Sequence, residues 1–243
     1  MEKLKFEKLI LNKKNEFCPI CGKKSKLVEK SDCMIYVPTC DCEEQRKKAY
    51  PFRQKIKKLK TANLGYIYKN TRLKRLNCEF LQECKNYVAN FQPRKSKGLF
   101  LAGNIGTGKT SLAVGIAKEL IFKGYSVKFM VFSQVIRLLQ STYGNKNELS
   151  FMEQVEILSK YYLLIFEDIF RENYKAQTLT DVFDFIDFLY KNGNNIVLTA
   201  NMEQVVKVKE IPEMAAILDR LKQVTKILWF KGKSMRGAKK CIN

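Results

Sequence analysis

Residues 98–113 read Gly-Leu-Phe-Leu-Ala-Gly-Asn-Ile-Gly-Thr-Gly-Lys-Thr-Ser-Leu-Ala, and this stretch leaves the chain little choice of architecture. Gly103-x-x-x-x-Gly108-Lys109-Thr110 is a complete Walker A pattern. Its glycines let the backbone curl so that successive N–H groups aim at phosphate oxygens. A helix starting at Lys109 adds the positive end of its dipole. The expected cradle for the triphosphate of ATP is therefore Gly103, Asn104, Ile105, Gly106, Thr107, Gly108, Lys109, Thr110 and Ser111. Lys109 is expected to reach the β- and γ-phosphates, and the Thr110 hydroxyl to ligate Mg²⁺. An apolar strand, Leu99–Ala102, precedes the motif, and a helical pattern from about Thr110 to Lys123 follows it. A plain strand–turn–helix is the weaker alternative.

A phosphate loop of this kind needs an acidic partner on a neighbouring strand. Tyr-Tyr-Leu-Leu-Ile-Phe-Glu-Asp at 161–168 supplies one. Leu163–Phe166 read as a buried central strand, and Glu167 and Asp168 emerge at its C-terminal end, the end that faces ligands in open α/β sheets. Glu167 is assigned to Mg²⁺ and Asp168 to activation of the attacking water. The usual order in such sites has Asp first, so a scaffold that binds ATP without hydrolysing it stays open. Further strand-like runs fall at Val127–Phe132, Ile196–Thr199 and Ile227–Phe230, with helical runs between them. Helical spacing covers Leu76–Phe91; Ser150 and Glu153 form a capping-box pattern; a helix over about Thr180–Asn192 stops at Gly193. Strands alternating with helices predict an α/β parallel sheet with helices on both faces.

These motifs resemble the DnaC/IstB-like branch of the AAA+ ATPases, which includes bacterial and phage helicase loaders. The pieces are GNIGTGKTSLA, LLIFEDI, IVLTANM, and AAILDRL followed by FKGKSMR. The resemblance implies a P-loop NTPase fold without a C-terminal lid domain. It implies that Asn201 sits beside the γ-phosphate, that Arg220 reaches the ATP of a neighbouring subunit as an arginine finger, and that Arg236 contacts phosphate within its own subunit. Read on their own, Asn201 is also compatible with an ordinary turn, Arg220 with a helix surface, and Arg236 with a solvated basic tail. The partners implied are a replicative DNA helicase, single-stranded DNA, and further copies of the chain in an ATP-bound homo-oligomer. A transposition helper of the IstB type, binding double-stranded DNA, is the alternative.

Cysteine usage sets the N-terminal region apart. The chain has eight cysteines and no histidine. Cys18-Pro-Ile-Cys21-Gly22 is a zinc-knuckle half-site, and Cys40-Asp-Cys42 supplies the second pair. Cys18, Cys21, Cys40 and Cys42 predict a structural Zn²⁺ site of four thiolates, with Cys33 as a spare; redox thiols and unligated cysteines are the alternatives. Cys78, Cys84 and Cys241 read as non-ligands. The domain layout is then a basic zinc-binding module at 1–50, a basic connector at 51–75 broken by Pro51 and Gly65, and the ATPase domain at 76–243. Residues 1–16 read as a basic amphipathic helix, and residues 17–45 as irregular.

Charge bears on partners. The formal net charge is +21, and residues 1–75 hold 21 Lys+Arg against 8 Asp+Glu. Such an excess favours a polyanion. Tyr66, Tyr68 and Tyr143 lie among the cations, where stacking on bases competes with ordinary packing as their role. No run of 18 apolar residues suggests a membrane span, and the charged start is unlike a secretory signal, so a cytoplasmic protein is expected.

Overall fold

In the computed structural model the described residues are 17–18, 21–30, 33–37, 39–141, 149–171, 176–208 and 211–235. The chain divides into two compact units, Met1–Ile56 and Lys57–Asn243. No helix among the described residues is long and apolar enough to cross a membrane.

The first unit is more regular than its sequence suggested. Strands β1 (Lys26–Lys30) and β2 (Cys33–Val37) form an antiparallel hairpin, with Lys30 opposite Cys33 and Lys26 opposite Val37. Phe17 bridges Lys24 just before it. The expectation of an irregular 17–45 is corrected: two runs containing Val28, Ile35, Tyr36 and Val37, separated by two residues, have strand propensity enough to pair. Helix α1 then runs from Cys42 to Thr61. Pro51 does not break it, contrary to expectation. Proline removes one backbone donor from a helix interior, but strong helix formers flank it on both sides, from Gln45 to Ala49 and from Arg53 to Lys55. The helix expected at 1–16 lies outside the described residues.

The second unit is built on a five-stranded parallel sheet in the order β4-β5-β6-β3-β7. Its strands are β3 (Gly98–Gly103), β4 (Val127–Val131), β5 (Leu163–Glu167), β6 (Asn195–Asn201) and β7 (Thr225–Phe230). Period-two alternation sends neighbouring residues to opposite faces. Leu99 and Leu101 of β3 join one buried cluster, with Leu163, Ile165, Val197 and Phe230. Phe100 and Ala102 join the other, with Leu164, Phe166, Leu198 and Ala200. Helices α2 (Leu81–Ala89) and α3 (Lys109–Phe122) contribute to the first cluster. The second takes in residues of α4 (Phe132–Gln140), α5 (Phe151–Ser159), α6 (Ala176–Lys191), α7 (Met202–Val208) and α8 (Pro212–Val224). The capping box at Ser150 and Glu153 forms, and Gly193 follows α6 at φ 64°. Boundaries differ in three places: Phe132 opens α4 rather than ending β4, α6 starts at Ala176 rather than Thr180, and α2 starts at Leu81 rather than Leu76 because Phe80 takes a left-handed φ of 58°.

The latter part of the expected connector belongs to the second unit. Ala62, Leu64 and Leu73 are buried in the α3-side cluster. The α-carbon of Leu73 lies 3.2 Å from where a Gly115 Cβ would stand, so the arm meets α3 at a glycine. The ammonium of Lys118, buried in α3, donates to the carbonyls of Tyr68, Lys69 and Thr71. A long cation on the helix after the phosphate loop therefore fastens a segment some fifty residues earlier in the chain.

Candidate functional site

At the C-terminal edge of the sheet lies a cleft of about 480 Å³. Parallel pairing sets its corners. Gly103 and Asn201 are register partners at the ends of β3 and β6, and Val131 pairs with Glu167 at the ends of β4 and β5. Because β6 lies between β3 and β5, Asn201 stands between the phosphate loop and the acidic strand end.

One wall is the loop itself: Ile105, Gly106, Thr107, Gly108, Lys109, Thr110 and Ser111 all line the cleft. Gly106 and Gly108 take φ of 78° and 91°, a region that side chains rarely tolerate. Crowding makes the requirement stricter, since a Cβ on Gly106 would lie 2.1 Å from the Ser234 Oγ. Lys109 is buried, and its Nζ donates to the Gly103 and Asn104 carbonyls at 2.9 and 2.6 Å. Thr107 Oγ1 donates to the Asn104 carbonyl at 2.9 Å and closes the loop. Gly103 and Asn104 are not among the lining residues. A Cβ on Gly103 would collide with the Phe230 carbonyl at 2.1 Å. The Asn104 amide donates to the carbonyls of Lys231 and Gly232 at 3.1 and 3.3 Å. Met235 N–H donates to the Gly106 carbonyl at 2.9 Å. Residues 230–235 thus brace the phosphate loop.

The facing wall carries Glu167, Asp168 and Asn201. The turn after β5 is tightly held. The Asp168 N–H donates to Thr199 Oγ1 at 3.0 Å, and the Ile169 N–H to the Thr199 carbonyl at 3.0 Å. Ile169 is buried, while Asp168 and Phe170 on either side take left-handed φ of 54° and 70°. Left-handed backbone at non-glycine residues costs of order 1 kcal/mol each and concentrates at functional sites. Here it turns the chain sharply at the strand end. The Asn201 N–H donates to Gln204 Oε1 at 3.2 Å, which fixes the exit of β6.

Sequence reasoning missed three lining residues: Tyr68, Arg171 and Met235. Arg171 Nη1 lies 3.8 Å from Asp168 Oδ2; a cation three residues past the acid was the available signal. Tyr68 and Met235 carry none. Arg220 is not among the lining residues. Its Nη2 pairs with Asp187 Oδ1 of α6 at 3.3 Å, and its guanidinium lies 5.0 Å from the Tyr190 ring centre. Arg236 and Tyr143 lie outside the described residues.

The first unit holds a second candidate site. The sulfurs of Cys18, Cys21, Cys40 and Cys42 all lie within 4.8 Å of one another. Gly22 at φ 71° lets its N–H donate to the Cys18 carbonyl at 2.9 Å, which closes the knuckle. The Thr39 hydroxyl donates to the Lys24 carbonyl at 2.9 Å and draws the second pair in. Cys42 is the first residue of α1. Hydrogen bonds with the Cys21 and Cys40 thiols push the Cys42 thiol up to about 12. Tetrahedral Zn–S bonds of about 2.3 Å need sulfurs roughly 3.8 Å apart, which this cluster accommodates. Cys84 is a core thiol, pushed up to about 12 by burial.

Comparison with known proteins bears on the larger cleft. The family model for IstB-like ATP binding proteins matches residues 69–242. The Replicative helicase loader DnaC of Escherichia coli (strain K12) is 26% identical over 140 residues, covering 55% of this chain and 56% of that protein. The match therefore spans little more than half the length of such relatives. A crystal structure of the DnaC helicase loader superposes with a TM-score of 0.59 at 20% identity, covering 69% of this chain and 100% of that one. A crystal structure of DnaI gives 0.57 at 19% identity, covering 69% and 91%. At such identities these likenesses speak for the fold alone, a parallel α/β sheet with helices on both faces, as the sequence predicted.

Proposed function

The chain belongs to the family of IstB-like ATP-binding proteins, and on that premise we propose that it is a magnesium-dependent ATPase that loads a replicative DNA helicase onto single-stranded DNA. The observation carrying this is the cleft, in which Gly106–Ser111 face Glu167, Asp168 and Asn201. The helicase half rests on the likeness to the Replicative helicase loader DnaC.

In this reading the loop amides hold the phosphates of ATP. Lys109 exchanges its carbonyl partners for β- and γ-oxygens. The Thr110 hydroxyl and the Glu167 carboxylate would hold Mg²⁺, which would supply positive charge against the charge that develops during transfer. Asp168 orients the attacking water and accepts its proton. The Asn201 amide donates beside the γ-phosphate. Arg220 acts on the ATP of a neighbouring subunit in an ATP-bound homo-oligomer, with Asp187 and Tyr190 fixing its direction. An arginine in that position is worth roughly 10³–10⁵ in rate elsewhere. Arg236 contacts phosphate in its own subunit. Cys18, Cys21, Cys40 and Cys42 hold a structural Zn²⁺, which a unit of this size needs as a staple. That unit grips the helicase.

Steady-state phosphate release, with and without single-stranded DNA, tests the ATPase claim. Hydrolysis that persists unchanged in Lys109→Ala rules it out. Affinity capture from the native cell tests the loader claim, and no replicative helicase among the captured proteins rules that out. The IstB-like family description favours one further reading, a transposition helper that binds duplex DNA; preference for duplex over single strand, with a transposase captured, selects it.

A further inference from the structure

Residues 57–78 contain seven Lys and Arg and no Asp or Glu. The structure divides those seven by task. Lys58 donates to the Gly124 carbonyl, Lys69 to the Tyr66 hydroxyl at 2.6 Å, and Arg72 lies 5.3 Å from the Phe122 ring centre. The other four, Lys57, Lys60, Lys74 and Arg75, are exposed and form no ion pair among the described residues.

The same arm presents Tyr66 and Ile67, 78% and 81% exposed, the most exposed large apolar side chains among the described residues. They do not sit on a loose loop. Tyr66–Tyr68 is a 3₁₀ turn, closed by Tyr68 N–H to Gly65 carbonyl and Lys69 N–H to Tyr66 carbonyl hydrogen bonds. Lys118 fastens its C-terminal carbonyls to α3. Lys69 Nζ lies 4.4 Å from the Tyr66 ring centre and braces it. A rigid, exposed aromatic on an arm that also carries exposed cations suits a polymer that offers phosphates and uncovered base faces together. An acidic peptide would answer the charge but not the ring, and duplex DNA hides its base faces in the stack.

We propose that the arm formed by residues 57–75 is the single-stranded nucleic-acid-binding surface of this protein. Tyr66 and Ile67 are its stacking platform, and Lys57, Lys60, Lys74 and Arg75 its phosphate contacts. This rests on the loader reading and deepens it by naming where the strand lies. Tyr68, third in the same turn, lines the ATP cleft, so strand and nucleotide bear on one three-residue element.

The test is fluorescence anisotropy of a labelled oligo-dT on the full zinc-loaded chain across a salt series, with binding of a fluorescent ATP analogue as the folding control. The double variant Tyr66→Ala/Ile67→Ala should weaken oligo-dT binding about tenfold or more and leave the salt dependence unchanged. Lys74→Gln/Arg75→Gln should flatten the log–log salt slope by about 1.4, at about 0.7 per lost phosphate contact. If the wild type binds oligo-dT and both variants match it within twofold at the same slope, the strand lies elsewhere and the inference falls, while the loader reading stands. Equal loss on a duplex and a single strand in the Tyr66→Ala/Ile67→Ala variant overturns the stacking platform. A wild type that binds the ATP analogue but no single strand overturns the loader reading itself.

Discussion

Replacing Lys118 by Met tests whether the basic arm is part of the core of the second unit. The substitution keeps the length and apolar bulk of the side chain and removes one thing, the ammonium that donates to the Tyr68, Lys69 and Thr71 carbonyls, the latter two at 2.9 and 3.1 Å. Hydrogen bonds from a charged donor contribute about 1.5–3 kcal/mol each. Three of them are partly offset by the several kcal/mol that burying an ammonium costs, a cost visible in the Lys118 pKa, which burial and then the nearby Arg72 push down. The net expectation is a loss of about 3 kcal/mol. For a unit of 150–250 residues, each kcal/mol moves Tm by about 2–4 °C, so Lys118→Met should melt about 6–12 °C lower. Because Tyr68 lines the cleft, freeing its segment should also weaken binding of a fluorescent ATP analogue severalfold. Thermal unfolding and urea titration read the first effect and anisotropy the second. A Lys118→Met protein that melts within 2 °C of the wild type and binds nucleotide equally well would refute the reasoning.

Gly106→Ala should cost tenfold or more in ATP-analogue affinity while leaving Tm within a few degrees. The methyl would lie 2.1 Å from the Ser234 Oγ at a φ of 78°, and removing the Ser234 hydroxyl should not restore binding, because the backbone cost of about 1–2 kcal/mol remains. The wild-type chain should carry one Zn²⁺, measured by metal analysis after purification without added metal. Cys42→Ser should lose it and make residues 17–61 sensitive to protease. Glu153 accepts hydrogen bonds from the Ser150 N–H and hydroxyl, both at 2.8 Å, and the backbone bond first, then the hydroxyl, holds its pKa below the ordinary carboxylate value. Its contribution is therefore present above the unfolded-state pKa and lost as pH falls through the lower folded one. Glu153→Gln should flatten the acid side of a urea-midpoint profile, and Ser150→Ala should cost about 1 kcal/mol at neutral pH.

What the sequence disclosed and what it hid divide along a physical line. Gly106, Gly108, Lys109 and Thr110, which line the cleft, were legible because few other residue types suit such a turn, and the same holds for paired acids after an apolar strand and for the clustered Cys-x-x-Cys. The parallel sheet followed, since β3, β5 and β6 are short apolar runs between helical ones. The arm at 57–75 was legible as charge and misread as a connector, because its docking uses side chains that look generic. Lys118 grips backbone carbonyls, and a carbonyl has no residue identity to search for. The bracing of the phosphate loop is hidden for the same reason: the Asn104 amide and the Met235 N–H both bond to main-chain oxygens. Pro51, Phe80, Asp168 and Phe170 break local rules outright, one inside a helix and three at left-handed φ, and each is tolerated because surrounding structure outweighs about 1–3 kcal/mol of local preference. The exceptions at Asp168 and Phe170 fall where the cleft needs a sharp turn. Strain there is a better guide to function than either side chain alone, since packing by Ile169 and two bonds to Thr199 are spent on keeping that carboxylate in place.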